Sequence, residues 1–279
     1  MDRNTEEILV DMDQIAFNML KHGDGEIVLL ETYCNEGIAI IEINNPGKRN
    51  AISGKMMSDF RNCITKLESW KQGKAVIILG RGQNFCSGGD LDFVKNHPTQ
   101  KGGLYFSTLM RDILKRLEQL PLFSVALVHG ATLGGGTEVA VACDYILVSE
   151  DVKFAFVQGK LGIITAWGAA TRLTKAIGTK KALDLLLTSR ILTAQECLDI
   201  GLASGIVTEE NKLEDCLEWT RRRTRHSCNV TRAFKLAVSQ SNLFDESLRN
   251  ELELFLPLWG CPENREALSK NIKHVNGHK

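Results

Sequence analysis

The sequence predicts an α/β fold that ends in a helical C-terminal subdomain. Three observations carry this. Compact runs rich in Val, Ile and Leu, as at residues 75–79 and Phe123–Val128, alternate with segments whose apolar residues recur every three or four positions. Two glycine-rich loops, Ser87-Gly88-Gly89-Asp90 and Gly134-Gly135-Gly136, each follow one of these runs. Beyond Gly168 the helical pattern dominates to the end of the 279 residues.

In chain order, apolar runs at 27–33 and 38–43 flank Asn35-Glu36-Gly37 and predict a hairpin. The polar stretch from Asn44 to Asn50, with Pro46-Gly47 inside it, closes the hairpin as a loop. Ser53 stands where a helix N-cap belongs, ahead of Met56, Met57, Phe60, Ile64 and Leu67 at helical spacing. Residues 74–80 predict the next strand. Leu109, Ile113, Leu114 and Leu117 line a second amphipathic helix, and Pro121 stops it because proline has no N–H to give. The strand Phe123–Val128, the triple glycine, a short helix and a strand over 144–149 follow. Residues 1–25 are expected to form a peripheral arm, 26–209 the core and 210–279 the C-terminal helical subdomain.

Composition narrows the function classes. Lys and Arg number 34, as do Asp and Glu, so the formal net charge is zero. No nucleic-acid partner is expected, because such affinity comes from cation excess. Eight cysteines are scattered without a C-x-x-C pair, which leaves zinc and thioredoxin-type redox centres without support and predicts reduced thiols. The first residues include Asp2, Glu6, Glu7 and Asp11, unlike a transit or secretory leader. No apolar run approaches the roughly 18–20 residues that span a bilayer. A cytosolic protein without membrane contact is expected.

The glycine loops carry the chemistry. Without a Cβ, a backbone N–H can approach a ligand closely. Two such groups aimed at one point form an oxyanion hole. Gly89 and Gly135 are the candidates, and Gly135 would open a helix whose positive amino end favours an anion. Glu138 follows one turn later, so its carboxyl group can face the same point. A dinucleotide fingerprint does not fit, since Gly134-Gly135-Gly136-Thr137-Glu138-Val139 lacks the last glycine of G-x-G-x-x-G and Glu138 would repel a pyrophosphate. Each loop by itself also fits a tight turn that binds nothing.

In combination the motifs are specific. Asn50-Ala51, Phe85 with Gly88-Gly89-Asp90-Leu91, Gly130 with Gly134-Gly135-Gly136-Thr137-Glu138, and Gly168 with Thr171-Arg172-Leu173 fall in one order. In these residues the chain resembles the crotonase, or enoyl-CoA hydratase/isomerase, superfamily from about residue 27 to residue 270. The resemblance implies a crotonase-like spiral of ββα units, with trimers or hexamers assembled through the C-terminal helices. It implies an acyl-CoA thioester substrate whose carbonyl oxygen is held by the N–H groups of Gly89 and Gly135. It also implies no metal, and no cofactor beyond the CoA of the substrate itself. Lys48, Arg49, Ala51, Ser87, Asp90, Leu91 and His129 are the expected substrate or CoA contacts. Lys48 and Arg49 either meet CoA phosphates or belong to a solvated loop; His129 either borders the pocket or is a structural histidine. Cys86, with no base near it in sequence, is expected to be a small filler.

One departure selects the reaction. Hydratases of this family position water with two carboxylates, and Glu138 matches one. The stretch for the other, P-E-x-x-x-G, reads Val157-Gln158-Gly159-Lys160-Leu161-Gly162 here and holds no acid. Decarboxylation, isomerisation by Glu138 alone and thioester hydrolysis remain. Asn44-Asn45-Pro46, Ser53-Gly54-x-Met56-Met57, Gly162-Ile163-Ile164, Trp167-Gly168 and Leu258-Trp259-Gly260-x-Pro262 look most like the members that decarboxylate 2-alkylmalonyl-CoA. The implied reaction takes ethylmalonyl-CoA, and methylmalonyl-CoA less well, to butyryl-CoA or propionyl-CoA. Trp167 is expected either to strip water from the departing carboxylate or only to pack the core. Glu138 is either the acid that protonates the enolate, with its pKa raised by an apolar pocket, or a positioning group. The basic cluster Arg221-Arg222-Arg223-Thr224-Arg225-His226 ends a helix, or carries the rival reading of an RNA-binding protein.

Overall fold

The computed structural model describes residues 12–19, 22–30, 33–96 and 100–239. Helix α1 (Met12–Met19) precedes β1 (Glu26–Leu30), which pairs antiparallel with β2 (Ile38–Asn44) as the expected hairpin. Ser53 caps α2 (Gly54–Ser69): its Oγ accepts the Met56 N–H at 3.2 Å and donates to the Asp24 carbonyl at 2.8 Å. Then come β3 (Ala75–Gly80), α3 (Leu91–Asn96), α4 (Gln100–Gln119), β4 (Phe123–Val128), β5 (Ala131–Leu133), α5 (Gly135–Val141), β6 (Tyr145–Ser149) and β7 (Lys153–Ala155). The rest is α6 (Ala169–Ile177), α7 (Thr179–Thr188), α8 (Ala194–Asp199), β8 (Gly205–Val207), α9 (Lys212–Arg221) and α10 (Cys228–Ser239).

Six strands form the main sheet in the order β1-β2-β3-β4-β6-β8, parallel from β2 onward. Every residue of β3 and β4 is buried, as expected of parallel strands covered on both faces. Alternation along the strands feeds two cores. Ile41, Ile43, Val76, Ile78, Ala126 and Val128 pack with α2 and α4 on one face. Ile38, Ile40, Ile77, Val125 and Leu127 pack with Cys216 and Leu217 of α9 on the other.

A second, thinner layer gives the chain its spiral. Ile52 bridges Gly89, Cys86 bridges Thr132, β5 pairs in parallel with β7, and Phe154 bridges Leu192. Main strand, short strand and helix thus recur as ββα units, the architecture expected. The short strands have three residues or fewer, too few for a period-2 pattern to be visible in sequence.

Three features differ from expectation. The arm is not wholly peripheral: Ile15, Ala16 and Met19 of α1 are buried, and Ser58 Oγ donates to the Ala16 carbonyl at 2.6 Å. Strand β8 interrupts the helical C-terminal part and extends the main sheet. The boundary at 209/210 is not a break in packing, since α9 contributes to the sheet core and Lys235 of α10 pairs with Asp144, which also accepts the Ser124 N–H and hydroxyl. The remainder of that subdomain, with Leu258 and Trp259, lies outside the described residues. No described helix is long and apolar enough to cross a membrane.

Ser53 tests how α2 is fixed. Ser53→Ala removes the cap on the Met56 N–H and leaves the Asp24 carbonyl without its hydroxyl partner. It should cost about 1–2 kcal/mol of stability, read from the shift of the urea unfolding midpoint.

Candidate active site

The two glycine loops meet because β3 and β4 are parallel neighbours, so the segments that follow them leave the sheet at the same end. Beyond the strands, Cys86 N–H donates to the Ala131 carbonyl at 3.3 Å and Leu133 N–H to the Cys86 carbonyl at 3.0 Å. On the other side, Ile52 N–H donates to the Gly88 carbonyl at 2.8 Å and Asp90 N–H to the Ile52 carbonyl at 2.9 Å. In such a parallel bridge the N–H of the middle residue, Gly89, points away from Ile52.

Absent side chains make this junction possible. Gly88 has φ of 107°, and a Cβ on it would lie 3.0 Å from Gly135 N and 3.1 Å from the Leu133 carbonyl oxygen. A Cβ on Gly136 would lie 2.1 Å from the Cys86 carbonyl oxygen. Gly88 and Gly136 are buried, whereas Gly89 and Gly135 are partly exposed. Neither Gly89 N–H nor Gly135 N–H donates to another backbone group among the described residues.

Aromatic rings back both amides. The space a Cβ would need on Gly89 is taken by Phe106, whose Cζ lies 2.6 Å from that position, and on Gly135 by Trp167, whose Cζ3 lies 2.4 Å away. The two rings touch, with centroids 5.3 Å apart, and Phe106 stacks on Phe93 at 5.6 Å. The indole is therefore part of the wall beside Gly135, and it is almost wholly buried. Sequence reasoning missed Phe93 and Phe106. Both look like ordinary apolar positions of helices, and nothing in the sequence ties them to the glycines.

Glu138 stands behind this wall on α5 and is 2 % exposed. Its Oε1 accepts from Gln158 Nε2 at 3.1 Å and Ala166 N–H at 3.3 Å. Its Oε2 accepts from Trp167 N–H at 2.8 Å and Ala169 N–H at 3.1 Å. Burial raises the pKa of Glu138 above the ordinary carboxylate value, and the four donors oppose that rise without cancelling it. The loop bearing Trp167 is also gripped from the far side. Arg172 donates to the Trp167 carbonyl at 2.7 Å and forms a two-pronged pair with Glu118 at 2.9 and 2.7 Å. Gln158 occupies the stretch where a hydratase carries its second acid, and no second carboxylate bonds to this group among the described residues.

The remaining predicted residues divide. Lys48 is committed to Asp90 at 2.9 Å and Asp92 at 3.0 Å, and these bonds raise its pKa. Asp90 is buried, and its Oδ1 accepts the Asp92 N–H at 2.8 Å at the start of α3. Burial works to raise its pKa, but Lys48 and the Asp92 and Phe93 amides hold it below the usual value. This pair braces the first glycine loop. Arg49 is exposed with φ of 51°, and its carbonyl accepts the Ser87 N–H at 3.0 Å; its guanidinium forms no hydrogen bond or ion pair with the described residues. Ser87 donates its hydroxyl to the Lys48 carbonyl, Ala51 is buried with its carbonyl bonded to Asn45, and Leu91 is 51 % exposed on α3. Of the two readings of His129, the geometry fits the structural one: its ring is buried and bonds the Gly80 carbonyl at 3.0 Å, fastening the end of β3. Cys86 is the filler expected. Burial pushes its thiol up to about 12, and Gly88 N–H donates to its sulfur.

The pattern of the enoyl-CoA hydratase/isomerase family matches residues 33–256. The chain belongs to this family. It is 39% identical over 256 residues to ethylmalonyl-CoA decarboxylase of Mus musculus, covering 90% of this chain and 79% of that one. It is 35% identical to the Gallus gallus protein of the same name, covering 94% and 89%. Among solved structures, enoyl-CoA hydratase from Bacillus anthracis superimposes with a TM-score of 0.82 at 25% identity, covering 87% of this chain and 94% of that one. Membership accounts for the ββα spiral and for the paired glycine loops at its centre.

Gly88 tests the junction. Gly88→Ala places a side chain in left-handed backbone and presses Gly135 N and Leu133 O together. It should cost about 1–3 kcal/mol in strain, read by thermal unfolding, and slow turnover more than it changes KM.

Proposed function

We propose that the protein is a carboxy-lyase that decarboxylates ethylmalonyl-CoA to butyryl-CoA, and methylmalonyl-CoA less well to propionyl-CoA. The observation that carries this choice among the family's reactions is Gln158. A neutral amide accompanies Glu138 where hydration needs a second carboxylate. The decarboxylases of mouse and chicken, similar over most of both chains, support the same reading.

The chemistry follows from the geometry. The thioester carbonyl oxygen accepts from the N–H groups of Gly89 and Gly135. The bond from the α-carbon to the carboxylate breaks, its electron pair moves into the thioester as an enolate, and CO2 departs. Charge grows on the oxygen during this step, so donors fixed beforehand stabilise the transition state more than the substrate. Phe106 and Trp167 present an apolar wall beside the same oxygen, where a carboxylate loses hydration and neutral CO2 does not. A metal or organic cofactor is not called for, because the two amides carry the charge. Arg49, exposed and without an ion pair among the described residues, is the cation suited to a CoA phosphate; Lys48 is already held by two carboxylates. Exposed Leu183, Leu187 and Ile191 on and just after α7 support assembly into trimers or hexamers. Seven described cysteines without disulfides support a reducing cytosol, where the activity would dispose of malonyl-type by-products of acyl-CoA carboxylation.

Ethylmalonyl-CoA, methylmalonyl-CoA and crotonyl-CoA supplied separately should be distinguished by mass. Loss of CO2 from the first, slower loss from the second and no hydration of the third are expected; hydration of crotonyl-CoA or release of free CoA thiol would reject the reading. Gly135→Ala and Gly135→Pro both crowd Trp167, but only the proline removes the N–H. The proline variant should be slower than the alanine variant by a further 100- to 1,000-fold or so in kcat, and equal rates would dismiss the amide as an oxyanion donor.

A further inference from the structure

We infer that Glu138 is a positioning residue, an anionic post that holds the Trp167 loop against Gly135, and that the substrate carbon takes its proton from solvent water. The inference deepens the decarboxylase reading and rests on it. Both oxygens of Glu138 are fully engaged by donors: the Gln158 amide and three backbone N–H groups at residues 166, 167 and 169. An ionised carboxylate satisfies all four. A protonated one carries a hydrogen that none of the three backbone N–H groups can accept, and only the Gln158 amide could take it, by turning toward it the Oε1 that has no partner among the described residues. The three backbone donors cannot turn aside as a side chain can, because Arg172 grips the Trp167 carbonyl from the other side and is itself held by Glu118.

The consequence reaches the reacting atoms through the indole. Trp167 N–H bonds Glu138, while the Trp167 ring fills the space over Gly135. Glu138 therefore sets where the wall stands relative to the oxyanion donor without touching the substrate carbon. Its own carboxyl is walled off at 2 % exposure, whereas Gly89 and Gly135 are partly open to solvent. In the balanced step the C–C bond cleaves, CO2 leaves with the enolate behind it, and the enolate carbon takes a proton from water with release of hydroxide.

The charged groups around Glu138 are few. Arg172 and Glu118 neutralise each other beyond the Trp167 carbonyl, and Lys160, two residues past Gln158, is exposed. The pH profile of kcat for ethylmalonyl-CoA with the full-length protein is thus the first test. A positioning anion predicts kcat that is level on the alkaline side and falls as pH drops through the pKa of Glu138. A proton donor predicts the reverse, kcat falling as pH rises through that pKa, and this result would overturn the inference. The second test is Glu138→Gln, which sets an NH2 against two of the four donors. Acrylamide quenching of Trp167 emission, with Trp167→Phe as the reference that removes it, should increase in this variant. In the cycle with Trp167→Ala, the two losses in kcat should be strongly non-additive. Unchanged quenching together with additive losses would also overturn the inference. If the wild type fails to decarboxylate at any pH, the functional reading falls, while the quenching measurement still reports whether Glu138 holds the indole.

Discussion

The site depends on a main-chain contact that no side chain interrupts. The loop after β3 and the amino end of α5 lie against each other because Gly88 and Gly136 have nothing to place between them. Any Cβ at Gly136 would overlap the Cys86 carbonyl, and one at Gly88 would press on the nitrogen of Gly135. Small loop residues elsewhere in a protein are tolerated; here they set how closely the two loops can approach. The parallel register of β3 with β4 brings the loops to the same end of the sheet, and the bridges of the second layer stop them from drifting apart. Fold and chemistry are thus joined at the backbone, before any functional side chain is considered.

Around that contact the protein builds an apolar front and a polar back. Phe106 and Trp167 face the two partly exposed glycines. Behind them, a buried carboxylate, an amide side chain and an arginine–glutamate pair fix the loop that carries the indole. A buried charge is costly unless hydrogen-bonded throughout, and a half-satisfied network is worse than none. Four donors on two oxygens meet that requirement for the carboxylate itself, while Gln158 Oε1 beside it has no partner among the described residues. The polar groups therefore serve precision: they locate a ring that could otherwise pack in several ways.

Much of this was legible in the sequence, for identifiable reasons. The hairpin, the cap at Ser53, β3, β4 and the two glycine loops all declare themselves through local chemistry. Period, capping residue and turn residue sit close together in the chain there. What was not legible depends on distant pairing. The short strands β5, β7 and β8 have no period of their own and exist because a neighbour offers a ladder. Phe106 reads as a core residue of α4 until its ring is seen over Gly89. Lys48 and Asp90, 42 residues apart, brace each other, and nothing in the sequence ties one to the other. His129 adjoins a glycine loop in sequence, which left two readings open; its ring turns inward to the end of β3.

The thiol of Cys86 has a quieter meaning. It sits directly beneath the loop that supplies one of the two amides, fully covered, protonated, and bonded by the Gly88 N–H. A sulfhydryl in that state is a poor nucleophile toward peroxide, electrophilic metabolites or alkylating inhibitors. An oxidant would have to open the loop before it could reach the sulfur, so this thiol is shielded while the two glycine loops stay packed together.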